Sequence, residues 1–279
     1  MKYDLNELKN RKGARNLEDV PPEIKELLNQ GKISAVNLME SLSIENLKLF
    51  KNVFKEIAAE KYIDPVIKTL DDLQPKTNFK SSIVIGKTLS SEIAKNNDTK
   101  MLELLSNHGS DTVRSWATYI IGFNENLSIS DKLRAIKPFA DDEHFGVRET
   151  AWLSVRESII NNLEDSIAIL SNWAEDKNSN IRRFASESTR PRGVWTKHIK
   201  KLKESPELAL SIIEPLKSDN EKYVQDSVGN WLNDASKTQG EWVIAICKKW
   251  LEESPTKQTK RITDRGLRTL NKGKIKKKK

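Results

Sequence analysis

The chain has 279 residues, 32% of them charged and 37% hydrophobic, with a formal net charge of +8 and a mean hydropathy of −0.63. That length can bury one large core or two modest ones, and the composition leaves no stretch apolar enough for a membrane span. The single Cys247 and the scattered His108, His144 and His198 exclude a disulfide framework and a zinc or iron site, so no metal or cofactor is expected.

Residues 1–19 are polar, with Lys9, Arg11, Lys12 and Arg15 around Gly13, and read as a flexible basic arm without the apolar core of a signal peptide. A cytoplasmic protein is the expectation. Residues 20–97 form an N-terminal helical region. Val20-Pro21-Pro22-Glu23 opens a helix in the way proline permits at a first turn, and Gly31 ends it. A run AVNLMESLS follows, then LKLFKNVFKEIAAEKYI, in which Leu47, Leu49, Phe50, Val53, Phe54 and Ile57 make one wide apolar stripe. Further helical patterns occupy about 63–74 and 81–95. Nothing here alternates with the period of two that a strand requires.

From residue 98 to 271 a repeat emerges. Val113-Arg114, Val147-Arg148, Ile181-Arg182, Val224-Gln225 and Thr259-Lys260 each open a helix, at successive offsets of 34, 34, 43 and 35 residues. Four positions on stand Ala117, Ala151, Ala185, Val228 and Thr263, and four further on Ile121, Val155, Thr189, Leu232 and Leu267. Residues at 0, +4 and +8 share one side of a helix, so this is a buried seam that lets helices approach. Another amphipathic helix precedes each, such as SIAILSNWA or VIAICKKWL. Helix, turn, helix at this period predicts an all-α, HEAT-like solenoid, each pair burying its face by stacking on its neighbours.

Positions +2, +6 and +9 fall opposite the seam, on the face a solenoid offers to a ligand. They carry Arg183, Glu187 and Arg190 in one repeat, Asp226, Asn230 and Asn233 in the next, and Arg261, Arg265 and Arg268 in the last. Curvature would line them along a basic concave wall suited to a rod of phosphates. Charge is concentrated in two zones. Residues 178–203 hold eight Lys/Arg, among them Arg182, Arg183, Arg190, Arg192 and Lys197, against Glu187 alone; residues 257–279 hold eleven against Asp264 alone. The remainder is mildly acidic. The end of the chain, 272–279, reads as a disordered Lys-rich tail. Two readings of Glu187 stay open: an acid reserved for chemistry within a polyanion site, or a partner of Arg183 or Arg190 on an exposed helix face.

The stretches IRRFASESTRPR (181–192), IEPLK (213–217) and YVQDSVGNWLND (223–234) resemble the AlkC/AlkD family of bacterial DNA alkylation repair proteins, more closely the AlkC side, over roughly residues 98–270. The resemblance implies a single chain in the bacterial cytosol or nucleoid that clamps duplex DNA containing alkylated bases. It implies a monofunctional N-glycosylase that removes cationic alkylpurines, 3-methyladenine or 7-methylguanine. Because such a base already carries positive charge, its glycosidic bond needs an anion beside the emerging sugar cation rather than a strong acid. Glu187 is the first candidate for that role, with Asp234 and Glu149 next. Trp152, Trp195, Trp231 and Phe145 are candidate aromatic walls, and Arg148, Arg182, Arg183, Arg190, Arg192, Lys197, Asn230, Arg261, Arg265 and Arg268 candidate DNA contacts. One departure stands out: His144-Phe145 aligns where the family pattern has a carboxylate followed by Phe. Two other functions fit the same residues, a non-catalytic protein that recognises distorted or branched DNA and a protein-interaction scaffold.

Overall fold

A computed structural model describes Leu8, residues 10–194 and residues 196–276, with side chains as far as Lys272. Among the described residues, sixteen α-helices with defined bounds and two short 3-10 turns account for the regular structure, and no strand occurs. No helix among them is long and apolar enough to cross a membrane. The chain divides into two compact units, one running to Asn126 and including Glu143–Ala151, the other comprising Leu127–Asp142 and everything from Trp152 onward.

The first unit holds α1 (Pro22–Asn29), α2 (Leu38–Ser43), α3 (Asn46–Glu56), α4 (Ile63–Asp71), α5 (Asn78–Asn96), α6 (Thr99–Ser106), α7 (Asp111–Phe123) and the first turns of α9 (Phe145–Asn161). Pro22 sits in the first turn of α1, where its missing N–H costs nothing. Gly31 closes the helix at φ +70°, with Lys32 N donating to Leu27 O and Gly31 N to Leu28 O, both at 3.0 Å. That pair of bonds satisfies carbonyls the helix would otherwise leave orphaned. The expected apolar stripe is the floor of this unit: Leu49, Phe50, Val53 and Phe54 of α3 are fully buried, and the Phe50 ring stacks on Phe54 with centroids 4.0 Å apart.

The expected flexible arm is fastened where it is described. Arg11 pairs with the carboxylate of Glu40, which is buried, and donates to Ser34 O at 2.7 Å. A buried carboxylate needs a cation, and Arg11 supplies it.

The second unit begins with α8 (Ile129–Ala140) and continues with the rest of α9, α10 (Leu163–Trp173), α11 (Ser179–Ser188), α12 (Lys200–Glu204), α13 (Leu210–Ile213), α14 (Lys222–Ser236), α15 (Gly240–Glu253) and α16 (Lys257–Lys276). Helix α11 packs on α14, and α14 on α16. The seam read from the repeat is buried at Ile181, Ala185 and Thr189, at Val224, Val228 and Leu232, and at Thr259 and Thr263; only Leu267 retains partial exposure. Between α14 and α16 the contact is reciprocal. A Cβ on Gly229 would stand 2.8 Å from the Arg265 side chain, and one on Gly266 2.8 Å from Leu232 Cβ. Each glycine is the socket for the other helix's side chain. The final helix runs through Lys276, into the stretch read as a disordered tail; residues 277–279 lie outside the described residues.

Candidate functional site

The site grows from the end of α11. Asn178 caps its start, accepting from Asn180 N at 2.8 Å. Arg190 cannot continue the helix, because the ring of Pro191 disfavours helical backbone in the residue before it. The helix therefore ends at Ser188, with carbonyls to satisfy. Arg156, on α9 in the same unit, satisfies them. The residue is 1% exposed, and its guanidinium donates to Ser188 O, Arg190 O and, at 3.3 Å, Lys197 O. One buried cation thus holds the helix end and both sides of the following loop.

Next to it lies a carboxylate, arginine, carboxylate cluster. Glu187 Oε1 accepts from Arg190 Nη1 at 2.7 Å, and Glu187 Oε2 accepts from Ser227 Oγ at 2.8 Å with Arg183 Nη2 at 3.8 Å. The other edge of the Arg190 guanidinium faces Asp234 Oδ2, from Nε at 2.9 Å and Nη2 at 2.7 Å. Lys237 Nζ reaches Asp234 Oδ1 at 3.1 Å. Glu187 and Asp234 are 5% and 3% exposed. Burial alone would push the Glu187 carboxyl upward, but the Arg183 and Arg190 charges and the hydrogen bonds from Arg190 and Ser227 outweigh it, so the group titrates below its ordinary range. Arg190 moves the opposite way: burial opposes its charge, the two carboxylates overcome that, and its pKa is raised. Burial and the neighbouring Arg190 push Arg156 down to about 10, against the pull of Glu187 and Asp234.

The exposed-face reading of Glu187 is thereby corrected. It pairs with Arg183 and with Arg190, but in the interior, not on an exposed face, and it is one of two acids around a shared guanidinium, not an isolated one. The +2, +6, +9 stripe is largely closed over as well: Arg183, Glu187, Arg190 and Asn233 are buried. Long guanidinium arms reach sideways to the adjacent helix instead of outward. Arg183 lies over the Tyr223 ring at 4.4 Å. Arg261 Nη2 and Arg265 Nη1 both meet Asp226 Oδ1, at 2.8 and 3.0 Å, and Asn230 Oδ1 accepts from Arg265 Nε and Arg268 Nη2. These last side chains keep substantial exposure, about 39% for Arg261 and Arg265.

The other candidates fall in different settings. Arg182 is bidentate to Asp219, at 2.6 and 3.1 Å. Lys197 pairs with Glu157 in solvent. The Arg192 side chain is half-buried, its Nε enclosed without a hydrogen-bond partner among the described residues. Trp231 is wholly buried, its Nε1 donating to Thr189 O at 3.0 Å, and Trp152 is buried too. Both are core residues here. Trp195 lies outside the described residues. Asn233 and Asp234 stand inside α14, which continues to Ser236, and do not terminate it. In the first unit, Arg148 Nη1 donates to Glu143 O at 3.0 Å, Glu149 is half-buried and Phe145 is exposed. His144, at the departure from the family pattern, accepts from Gly146 N at 3.2 Å and sits 3.4 Å from Asp111 Oδ2. It caps the turn that opens α9, and its ring lies against Phe145 at 4.6 Å.

A stack of helix pairs with buried ion pairs running between successive repeats defines a helical-repeat protein whose polar chemistry lies within the stack. Residues 149–265 match the family model described as DNA alkylation repair enzyme, a narrower span than the 98–270 of the motif resemblance. That segment, under half of the chain, is what is similar to the family. The chain is 39% identical over 128 residues to YhaZ of Bacillus subtilis (strain 168), an alignment covering 46% of this chain and 35% of that one. Among solved structures it is similar to the alkylpurine DNA glycosylase AlkC of Pseudomonas fluorescens, bound to DNA containing an abasic site analog, at TM-score 0.64 and 24% identity over 90% of this chain and 65% of that one. It is also similar to AlkD2 of Streptococcus mutans, at TM-score 0.57 and 23% identity over 77% and 97%. The chain thus spans about a third of the curated relative and under two thirds of the AlkC chain.

Proposed function

We propose that the protein binds duplex DNA and hydrolyses the N-glycosidic bond of cationic alkylpurines, 3-methyladenine or 7-methylguanine, acting as a single chain without a cofactor. The observation that carries this reading is the carboxylate of Glu187, kept ionised in the interior by Arg183 and Arg190 inside the family-matched segment. When the C1′–N bond of an alkylpurine breaks, the bonding pair neutralises the departing base and the sugar is left cationic. A fixed carboxylate stabilises that sugar or holds the water whose oxygen bonds to C1′, the surplus proton passing to solvent. Asp234, across the same guanidinium, is the second anion, and Glu149 a third. Arg182, Arg192, Arg261, Arg265 and Arg268 with Lys197 and Asn230 are the proposed backbone contacts, the carboxylate partners of Arg182, Lys197, Arg261 and Arg265 giving way to phosphates. AlkC, which resembles this chain in fold, is an alkylpurine DNA glycosylase.

The test is release of free base from methylated duplex DNA. Wild-type protein is expected to liberate it, and Glu187→Gln to abolish release with DNA affinity intact or slightly raised. Full activity in Glu187→Gln removes the assigned role. A second reading rests on one specific observation: the oxygens of Glu187 and Asp234 are already engaged by protein groups. In that reading the cluster is structural and the protein binds DNA without cutting the bond. It predicts a binding constant that falls steeply with salt and no free base from any variant.

A further inference from the structure

The first unit carries a feature that alkylpurine chemistry does not use. A cleft of about 940 Å³ opens between α3, the turn after α2 and the start of α5. Its floor is apolar, with Leu47 half-buried and Leu17 and Leu42 exposed at 41% and 45%. Its rim is cationic. Lys48, Lys51 and Lys55 stand on one face of α3 at spacings of three and four, joined by Lys76, and the only acid among the lining residues is Glu45. Lys48 is shared with Glu26 and Lys76 with Asp71, both solvent-exposed pairs that contribute little and are easily exchanged. The ammonium groups of Lys51 and Lys55 have no ion pair or hydrogen bond among the described residues.

The walls are fixed before anything enters. Asn46 Nδ2 donates to Asn78 Oδ1 at 2.6 Å, Asn78 Nδ2 to Leu42 O at 2.7 Å, and Ser82 Oγ to Asn46 Oδ1 at 3.1 Å. This amide ladder ties the end of α2 to α3 and α5, so Leu42 and Leu47 are carried on a fixed frame. A preformed site loses little ordering entropy on binding.

We propose that this cleft is a docking site for an acidic amphipathic segment of a partner protein. Apolar side chains of that segment cover Leu17, Leu42 and Leu47, and its carboxylates pair with Lys51 and Lys55. The lysine row alone would suit phosphates equally well, but a hydrated phosphate backbone gains nothing from leucines. The combination of apolar floor and cationic rim selects a peptide.

The test is fluorescence anisotropy with the full chain and a labelled synthetic peptide of about 16 residues, long enough for leucines at i, i+3, i+4 and i+7 with glutamates between them. Saturable binding is expected, weakened about tenfold or more by Leu42→Asp and by the pair Lys51→Glu/Lys55→Glu, and changed less than about twofold by Lys248→Glu on α15 of the second unit. The lysine effect shrinks as salt rises and the leucine effect does not. Three results would overturn the proposal: no saturable binding, binding indifferent to Leu42→Asp, or displacement of the peptide by an unmodified DNA duplex whose own affinity depends on the lysines and not on Leu42. Because base release plays no part in the readout, this outcome is independent of the glycosylase assay.

Discussion

Two carboxyl groups, one in each unit, are buried to the same degree and titrate in opposite directions. Asp111, at the start of α7, is 3% exposed; burial pushes it upward, and the nearby His144 and Arg114 with N–H donors from Ala35 and Thr112 do not offset that. Glu187, at the end of α11, is 5% exposed and titrates low. The difference lies in geometry. Glu187 has a guanidinium bonded edge-on at 2.7 Å and a second at 3.8 Å, whereas the imidazole beside Asp111 stands 3.4 Å away. Burial alone therefore does not make an acid reactive or inert. What decides is whether the cations and hydrogen bonds that reach it outweigh the burial.

The harshest way to break the comparison is to remove the shared guanidinium. Arg190→Met leaves Glu187 and Asp234 buried without their common partner and is expected to cost about 3–5 kcal/mol in urea unfolding at neutral pH. Most of that cost should vanish in acid, where both carboxyls are protonated. Glu187→Gln keeps the shape and loses one charge, and about 1–3 kcal/mol is expected. Its sign with pH is fixed by the lowered pKa: Glu187 stabilises the fold above the ordinary carboxyl range, and that contribution is lost as pH falls through its depressed folded value. Asp111 must show the reverse. Its contribution is fully present below the ordinary aspartate range and is lost as pH rises through the raised folded value. Asp111→Asn is accordingly expected to change stability at pH 7 by no more than about 1 kcal/mol, and to flatten the loss on going from acid to neutral pH. The smallest effect is the surface control: Lys260→Ala, removing an exposed pair with Asp264, should fall within about 0.5 kcal/mol. If Asp111→Asn proves as costly as Glu187→Gln, cations are not what separates the two sites.

The seam was legible in the sequence because helix stacking leaves a local mark, a small or β-branched residue every fourth position across several repeats. The motif at 181–192 pointed equally well to Glu187 and Arg190. What those residues do with their side chains was not legible. An outward-facing register predicts exposure only when side chains are short; an arginine can lie across to the next helix, and Arg183, Arg190 and Arg265 all do. Arg156 went unassigned although it bore a signal. It occupies the same repeat position as Arg190, one period of 34 residues earlier, which places it where the end of α11 needs donors. Ser227 carried no such mark, since its bond to Glu187 links residues 40 apart. Trp231 misled because a tryptophan beside a polar motif reads as a platform, while its indole N–H satisfying Thr189 makes it part of the interior.

The reciprocal sockets at Gly229 and Gly266 bear on how this protein can change over time. Enlarging Gly229 drives the Arg265 side chain out of its seat, and enlarging Gly266 does the same to Leu232. Neither helix can be remodelled separately. Viable variants at this joint should arise as matched exchanges, one partner growing as its counterpart shrinks, so α14 and α16 are inherited as a single unit.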